Sequence, residues 1–372
     1  MNENIYRTMT QKRLILFIPS IEGGGVEKNL FIISNYLKDK IKKISIISIS
    51  NKFKNRFSSK IKFISPKAEF WDTIGRRKKF LVALYLLFLE ILKDRNILVF
   101  CFQGNVYCTL LCKLLGIKII VRSNSAPDGW SQNKFKYIVF KYVLRSADKI
   151  IVNSLDFKKK FKTKFNIQTE CIYNPLNKKE IITKSKIKSK IKFDKKKLNI
   201  INVGRYTDQK DQLTLLKAVN RIKDKIKFNL LIVGRGVEKK NLIKYIHEND
   251  LSRQVKLINF QNNPFNLIKS SDIFILSSLY EGLPNVLLES QVLKKFIISS
   301  NCPTGPREIL LNGKAGFLFN VGDYKKLSNL ILDYSKNKKL LSKKILVGYK
   351  NLSRFDYKKN LDNYLKIIYS LI

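Results

Sequence analysis

Two carboxylates bracket a glycine and a proline in the run Glu281-Gly282-Leu283-Pro284-Asn285-Val286-Leu287-Leu288-Glu289. Proline suits the first turn of a helix because it lacks the N–H that would be orphaned there. Glu281 is therefore expected in a loop and Glu289 on the helix that follows. Backbone N–H groups between Leu283 and Leu287 would then point outward, ready for hydroxyl or phosphate oxygens. A carboxylate accepts two hydrogen bonds at once, which suits Glu289 to the vicinal hydroxyls of a ribose and Glu281 to those of another sugar. Upstream, Val203-Gly204-Arg205-Tyr206-Thr207-Asp208-Gln209-Lys210 sets two cations, Arg205 and Lys210, beyond a glycine that frees the backbone. Two such cations suit a diphosphate. Gly23, Gly24 and Gly25 are consecutive and precede a helical pattern over Asn29–Leu37, which lets a ligand approach the backbone closely. Their spacing is not that of the dinucleotide fingerprint. Taken singly, each feature has a plain alternative: a solvated charge, a turn, a carboxylate on a helix surface.

What favours binding is where these features fall. Short apolar runs recur along the chain, separated by helix-length segments: Leu14–Pro19, Ile44–Ile49, Ile61–Ile64, Ile97–Phe102, Lys118–Ser123, Lys149–Ser154 and Glu170–Asn174 in the first half. The second half continues with Leu198–Gly204, Asn229–Gly234, Val255–Phe260, Ile273–Ser278, Phe296–Asn301 and Gly316–Phe319. Nearly all are continuous Ile, Val, Leu and Phe, as in parallel strands covered on both faces. The fold class is therefore α/β, with two Rossmann-like doubly wound parallel-sheet domains facing across a cleft. The expected layout is a first domain over residues 1–175, a densely basic linker with a short helix at most over 176–197, a second domain over 198–350 and a terminal helix over 351–372, which can return to the first domain. Ligands in such sheets bind at the carboxyl ends of the strands, and every feature above follows a strand.

Composition narrows the class. Lys and Arg number 73 against 28 Asp and Glu, a formal net charge of +45. Such a chain is drawn to polyanions, nucleic acid or an anionic leaflet. Lysine excess from AT-rich coding explains the same numbers, and the basic residues are scattered with no nucleic-acid-binding motif, so no specific nucleic acid is expected. Five cysteines form no disulfide framework or Cys-x-x-Cys pair, and Met1–Arg13 lacks an apolar leader core. A cytoplasmic home follows, with room for peripheral attachment to the inner face of the membrane. Phe80–Leu92 follows the cluster Arg76, Arg77, Lys78 and Lys79 and contains Glu90. It is too short to span a bilayer and reads as a core helix, with a membrane-surface helix as the alternative.

The two glutamates, the Gly204-Arg205…Lys210 segment and the glycine loop together resemble the group 1 (family four) retaining, nucleotide-sugar-dependent glycosyltransferases of the GT-B fold. Ile172-Tyr173-Asn174-Pro175, Val233-Gly234-Arg235-Gly236, the run Ser271–Ser278 and Cys302-Pro303-Thr304-Gly305-Pro306-Arg307-Glu308 add to the resemblance in the family's order. It covers essentially the whole chain and is most specific in the second half. It implies that Arg205 and Lys210 bind the donor diphosphate, that Glu289 holds the nucleotide ribose, and that Glu281 with Gly282, Leu283, Pro284, Asn285 and Val286 holds the donor sugar. Gly204 would open the strand tip, and Gly24 and Gly25 would pack against diphosphate or acceptor. The implied activity moves a hexose or N-acetylhexosamine, with retention, from a UDP-linked donor to a glycan or lipid-linked saccharide in cell-surface polysaccharide assembly, lipopolysaccharide included. No Asp-x-Asp occurs, so side-chain cations rather than a metal are expected to neutralise the leaving diphosphate, and no cofactor is expected beyond the nucleotide-sugar co-substrate.

One departure stands out. Many members carry a His in the first domain, whereas the single His here is His247, on a polar segment of the second. Gln103, Asn105, Arg122 and Asn124, in the loops after two first-domain strands, are the candidates to contact acceptor or sugar. The alternative function is polyanion binding on a catalytically inactive scaffold. A glycoside hydrolase using Glu281 and Glu289 fits less well, since one carboxylate precedes the helix and the other lies on it.

Overall fold

The protein is described by a computed structural model covering residues 12–22, 24–68, 70–124, 134–189, 191 and 193–372. Gly23 of the glycine loop and Ser125 beyond Asn124 lie outside the described residues. The chain forms two compact units, one of Met1–Pro175 with Lys358–Ile372 and one of Leu176–Tyr357.

The first unit is built on β1 (Arg13–Phe17), β2 (Ile44–Ile47), β3 (Lys62–Ile64), β4 (Ile97–Cys101), β5 (Lys118–Ser123), β6 (Lys149–Val152) and β7 (Glu170–Cys171). They form one sheet in the order β3-β2-β1-β4-β5-β6-β7, and each pairing is parallel. The continuous apolar runs have the expected cause: Leu14, Ile15, Leu16 and Phe17 are all fully buried, so both faces of β1 are covered by helices. Strand order reverses between β1 and β4, placing the loop before Gly24 beside the loop that holds Gln103. The last helix, Tyr357–Tyr369, brings Tyr364 fully into this unit's core. Tyr369 Oη donates to the carbonyl of Lys40 at 2.9 Å, and Tyr36 Oη donates to Asp362.

The second unit repeats the plan with β8 (Leu198–Val203), β9 (Phe228–Gly234), β10 (Val255–Asn259), β11 (Ile273–Leu276), β12 (Phe296–Ser300) and β13 (Phe317–Phe319), in the parallel order β10-β9-β8-β11-β12-β13. Here the reversal lies between β8 and β11, which pair through Ile200 with Ile273 and Ile201 with Phe274. Close approach explains the glycines of Val233-Gly234-Arg235-Gly236. A Cβ on Gly234 would sit 1.9 Å from the Gly204 carbonyl oxygen, and one on Gly236 would sit 2.1 Å from that of Tyr206. Tyr206 is fully buried beneath them and donates to the Ile232 and Ile258 carbonyls.

The basic stretch, expected as a linker with a short helix at most, carries the helix Lys178–Ser185 and groups with the second unit. Asn177 caps this helix by accepting from the Glu180 N–H at 3.1 Å, and Ile181 is buried. Asn263 and Asn266 then donate to the carbonyls of Lys184 and Ile187 at its far end. Among the described residues, no helix is long and apolar enough to cross a membrane.

Candidate functional site

Because β8 and β11 are neighbours, the loops after them run side by side. Ser277 Oγ donates to the Lys210 carbonyl at 2.9 Å, the Leu279 N–H donates to the Gln209 carbonyl at 2.8 Å, and Gln209 Nε2 donates to the Tyr280 carbonyl at 2.9 Å. These bonds fix the backbone from which Lys210 and Glu281 project. Lys210 Nζ lies 2.5 Å from Glu281 Oε1 in a pair with side-chain exposures of 16% and 8%. Ser278 Oγ donates to the same carboxylate oxygen at 2.7 Å. A Cβ on Gly204 would lie 3.4 Å from the stem of Lys210, an ordinary van der Waals contact. Arg205 is exposed at the tip of β8, and its carbonyl accepts from Gln212 Nε2.

The helix after Glu281 runs Asn285–Val292, with Pro284 as its N-cap rather than its first helical residue. The Leu287 N–H is bound to the Pro284 carbonyl at 3.1 Å, so the donors expected between Leu283 and Leu287 do not all face outward. Gly282, Asn285 and Val286 are half-buried around this helix start. Glu289 is 6% exposed, which removes it from the class of surface helix charges. A third loop, after β12, braces the first two. Thr304 Oγ1 donates to the Glu281 carbonyl at 2.6 Å. A Cβ on Gly305, whose φ is 85°, would sit 2.0 Å from the Gly282 carbonyl oxygen. Burial, then the charge of Glu281, pushes the nearby Cys302 thiol up to about 12, so it stays protonated at neutral pH and is no nucleophile.

Ser278, Thr304 and Gly305 are positioning residues whose roles were not read from the sequence. Each lies in a recognisable motif, but its function depends on which strands are neighbours.

The first unit brings its candidates together in a different way. Gly24 is the N-cap of the helix Gly25–Leu37, and a Cβ there would lie 2.9 Å from Glu27 Oε2. Glu27 is buried and folds back to accept from the Glu22 N–H at 3.3 Å. The glycine loop thus already holds a carboxylate at the helix start, where the helix dipole favours it. Arg122 is fully buried, and it donates to Tyr364 Oη at 2.9 Å, to Asn174 Oδ1 at 2.7 Å and to Asn124. The terminal helix covers it. Asn105 and Asn124 are engaged too, each donating to the Arg122 carbonyl at 3.2 Å. Gln103 alone of the four keeps a buried side-chain oxygen, Oε1, with no hydrogen-bond partner among the described residues. His247 is exposed. Among the described residues no cluster of three or more His, Cys, Asp or Glu could hold a metal ion.

This geometry has counterparts in known proteins. Residues 183–351 match the family described as glycosyl transferases group 1. The matched residues lie within the second unit and make up most of it. An uncharacterized glycosyltransferase of Methanocaldococcus jannaschii is 34% identical over 185 residues, covering 48% of this chain and 46% of its own length. The Campylobacter jejuni N-acetylgalactosamine-N,N'-diacetylbacillosaminyl-diphospho-undecaprenol 4-alpha-N-acetylgalactosaminyltransferase is 27% identical over 326 residues, covering 83% of this chain and 86% of its own. The glycosyltransferase fold extends over both units. The crystal structure of Anabaena Alr3699/HepE in complex with UDP superposes with a TM-score of 0.79 at 17% identity, covering 97% of this chain and 100% of that one. The two parallel-sheet α/β units are those of the GT-B fold.

Proposed function

We propose that the protein transfers a hexosyl or N-acetylhexosaminyl group, with retention, from a UDP-sugar to a glycan or lipid-linked saccharide acceptor in cell-surface polysaccharide assembly. The observation that carries this reading is the Lys210–Glu281 pair at the sheet's switch point, 2.5 Å apart, with buried Glu289 on the short helix that follows. A cation and a carboxylate so held can divide a nucleotide-sugar between them. Lys210, with exposed Arg205, takes the diphosphate, and Glu281 takes hydroxyls of the donor sugar. Glu289 takes the ribose. The UDP of one structural neighbour, the UDP-glucose of another structure of that same protein, and the undecaprenol-linked substrate named for the Campylobacter relative support donor and acceptor class.

In the proposed step the bond from the anomeric carbon to the diphosphate oxygen breaks, and the acceptor oxygen bonds to that carbon on the same face. The acceptor proton passes to the departing diphosphate oxygen, so no protein base is required. Lys210 and Arg205 neutralise the charge that develops there, in place of a metal. On the acceptor side we assign the half-buried Gln103, in the loop after β4, rather than Arg122. The buried carboxylate of Glu27 makes the glycine loop a better neighbour for sugar hydroxyls than for phosphate.

Nucleotide release from UDP-, GDP- and ADP-sugars, measured with a lipid-linked saccharide present and with a chelator added, tests the reading. UDP release that persists in chelator and drops in Glu281→Gln supports it. Release unchanged in both Glu281→Gln and Lys210→Ala overturns the site.

A further inference from the structure

The first unit's outer surface has a property its core does not require. The helix Arg76–Lys93 buries Ala83, Leu87 and Ile91 in the core, yet its opposite side carries Leu81 and Tyr85, exposed to 69% and 60%. A helix apolar on both sides is expected inside a protein, not on its surface. The next two helices repeat the pattern. Asn105–Leu114 buries Cys108 and Cys112 and exposes Leu110 and Leu114, and Lys134–Arg145 buries Leu144 and exposes Phe135 and Tyr142. All these buried groups belong to one hydrophobic cluster on one side of the sheet, so the opposite sides of the three helices face the same way. The helices also touch. Phe80 packs over Gly104, where a Cβ would meet its ring at 2.8 Å, and the Tyr107 and Phe140 rings lie 6.4 Å apart.

Charge decides what covers this face. Arg76, Arg77 and Lys78 are exposed at the start of the first helix, and Lys136 and Arg145 are exposed on the third. The only acidic residue on the three helices is Glu90, which is buried and lies 2.6 Å from Arg13. A second copy of the chain would oppose cation to cation in a desolvated contact, and a nucleic acid would leave the apolar groups exposed. A layer with anionic headgroups above hydrocarbon matches both features.

We propose that these three helices form a membrane-docking face, which lies flat on an anionic phospholipid surface with its aromatic and aliphatic side chains in the headgroup layer. The proposal deepens the reading of a lipid-linked acceptor and rests on it for its purpose, but its evidence is separate from the sugar-transfer site.

Sedimentation of the full chain with phosphatidylcholine vesicles, with and without phosphatidylglycerol, tests it. The protein should bind the anionic vesicles and keep part of that binding at high salt. Leu114→Ser with Phe135→Ser and Tyr142→Ser should weaken binding about tenfold or more. Arg76→Glu with Arg77→Glu should remove the preference for phosphatidylglycerol. Both variants should keep the parent's thermal melt and its nucleotide release with a soluble acceptor. Parent-like binding by the triple variant, or complete release of the parent by salt, overturns the proposal, as does a parent dimer that the triple variant abolishes. Loss of nucleotide release in the unsubstituted protein would instead break the transfer reading and leave the docking result standing.

Discussion

In the second unit, the loops that leave the sheet at its reversal of strand order carry a lysine and a glutamate in direct contact, with a serine donating to the same oxygen. In the first unit, the loops at the corresponding reversal carry polar groups bound mainly to their own framework: Glu27 folds over Gly24, and Asn105, Asn124 and Arg122 tie β4, β5 and the terminal helix together. One plan of strands thus gives two chemistries. The Lys210–Glu281 pair can exchange its partners for a charged ligand, whereas the Arg122 network cannot open without exposing the unit's core. A strand-end location offers a site, and the bonds already made there determine whether it can bind.

The largest expected effect falls on the ion pair. Lys210→Ala should lower nucleotide-sugar turnover by about a hundredfold or more, since it removes a cation from the developing charge. It should also cost about 3 kcal/mol in urea unfolding, because Glu281 is left buried without its cation. Lys210→Met with Glu281→Leu should restore most of the stability and none of the turnover, separating the two roles.

Arg122→Met should cost a similar amount, about 3 kcal/mol, by leaving Asn174 and Tyr364 without their buried donor. Hydrogen exchange should then speed up first in residues 358–372. Arg122→Lys should not rescue it, because an ammonium cannot reproduce the guanidinium's fork. If Arg122→Met instead lowers turnover while leaving stability and exchange intact, the contrast between the units fails.

A smaller effect is expected from Gln103→Ala. Raised KM for the acceptor, with about a tenfold loss in kcat/KM and an unchanged melt, would mark Gln103 as a first-unit contact to the acceptor. Gly24→Ala should cost about 1 kcal/mol or less, because the group it meets is the end of a flexible side chain, and Glu27→Ala in the same chain should recover it.

The last effect, comparable in size to that of Gly24→Ala, concerns pH. Cys302 keeps its proton in the folded chain up to about 12, against an ordinary value of 9.0. Above pH 9 the unfolded chain loses this proton while the folded chain holds it, so stability should fall as pH rises through that window. Unfolding curves at pH 8 and pH 10 should show a shallower decline in Cys302→Ala, and the parent thiol should resist alkylation at pH 8.

Much of this was legible beforehand. The strands announced themselves because parallel strands buried on both faces need unbroken apolar runs, as in Leu14–Phe17. The short helix at Lys178–Ser185 was also legible, for Asn177 followed three residues later by Glu180 is a helix-start pattern. Arg122 was not legible. A cation at a strand end looks like a ligand group until a tyrosine 242 residues further along covers it.

Sequence alone determined the element types, the α/β class and the identity of the charged groups, because burial period, turn chemistry and side-chain valence are local properties. Strand order was decided only by the tertiary structure. It brought Lys210 and Glu281 together across 71 residues of chain and buried Arg122, since neighbours in a sheet are chosen by packing and not by distance along the backbone.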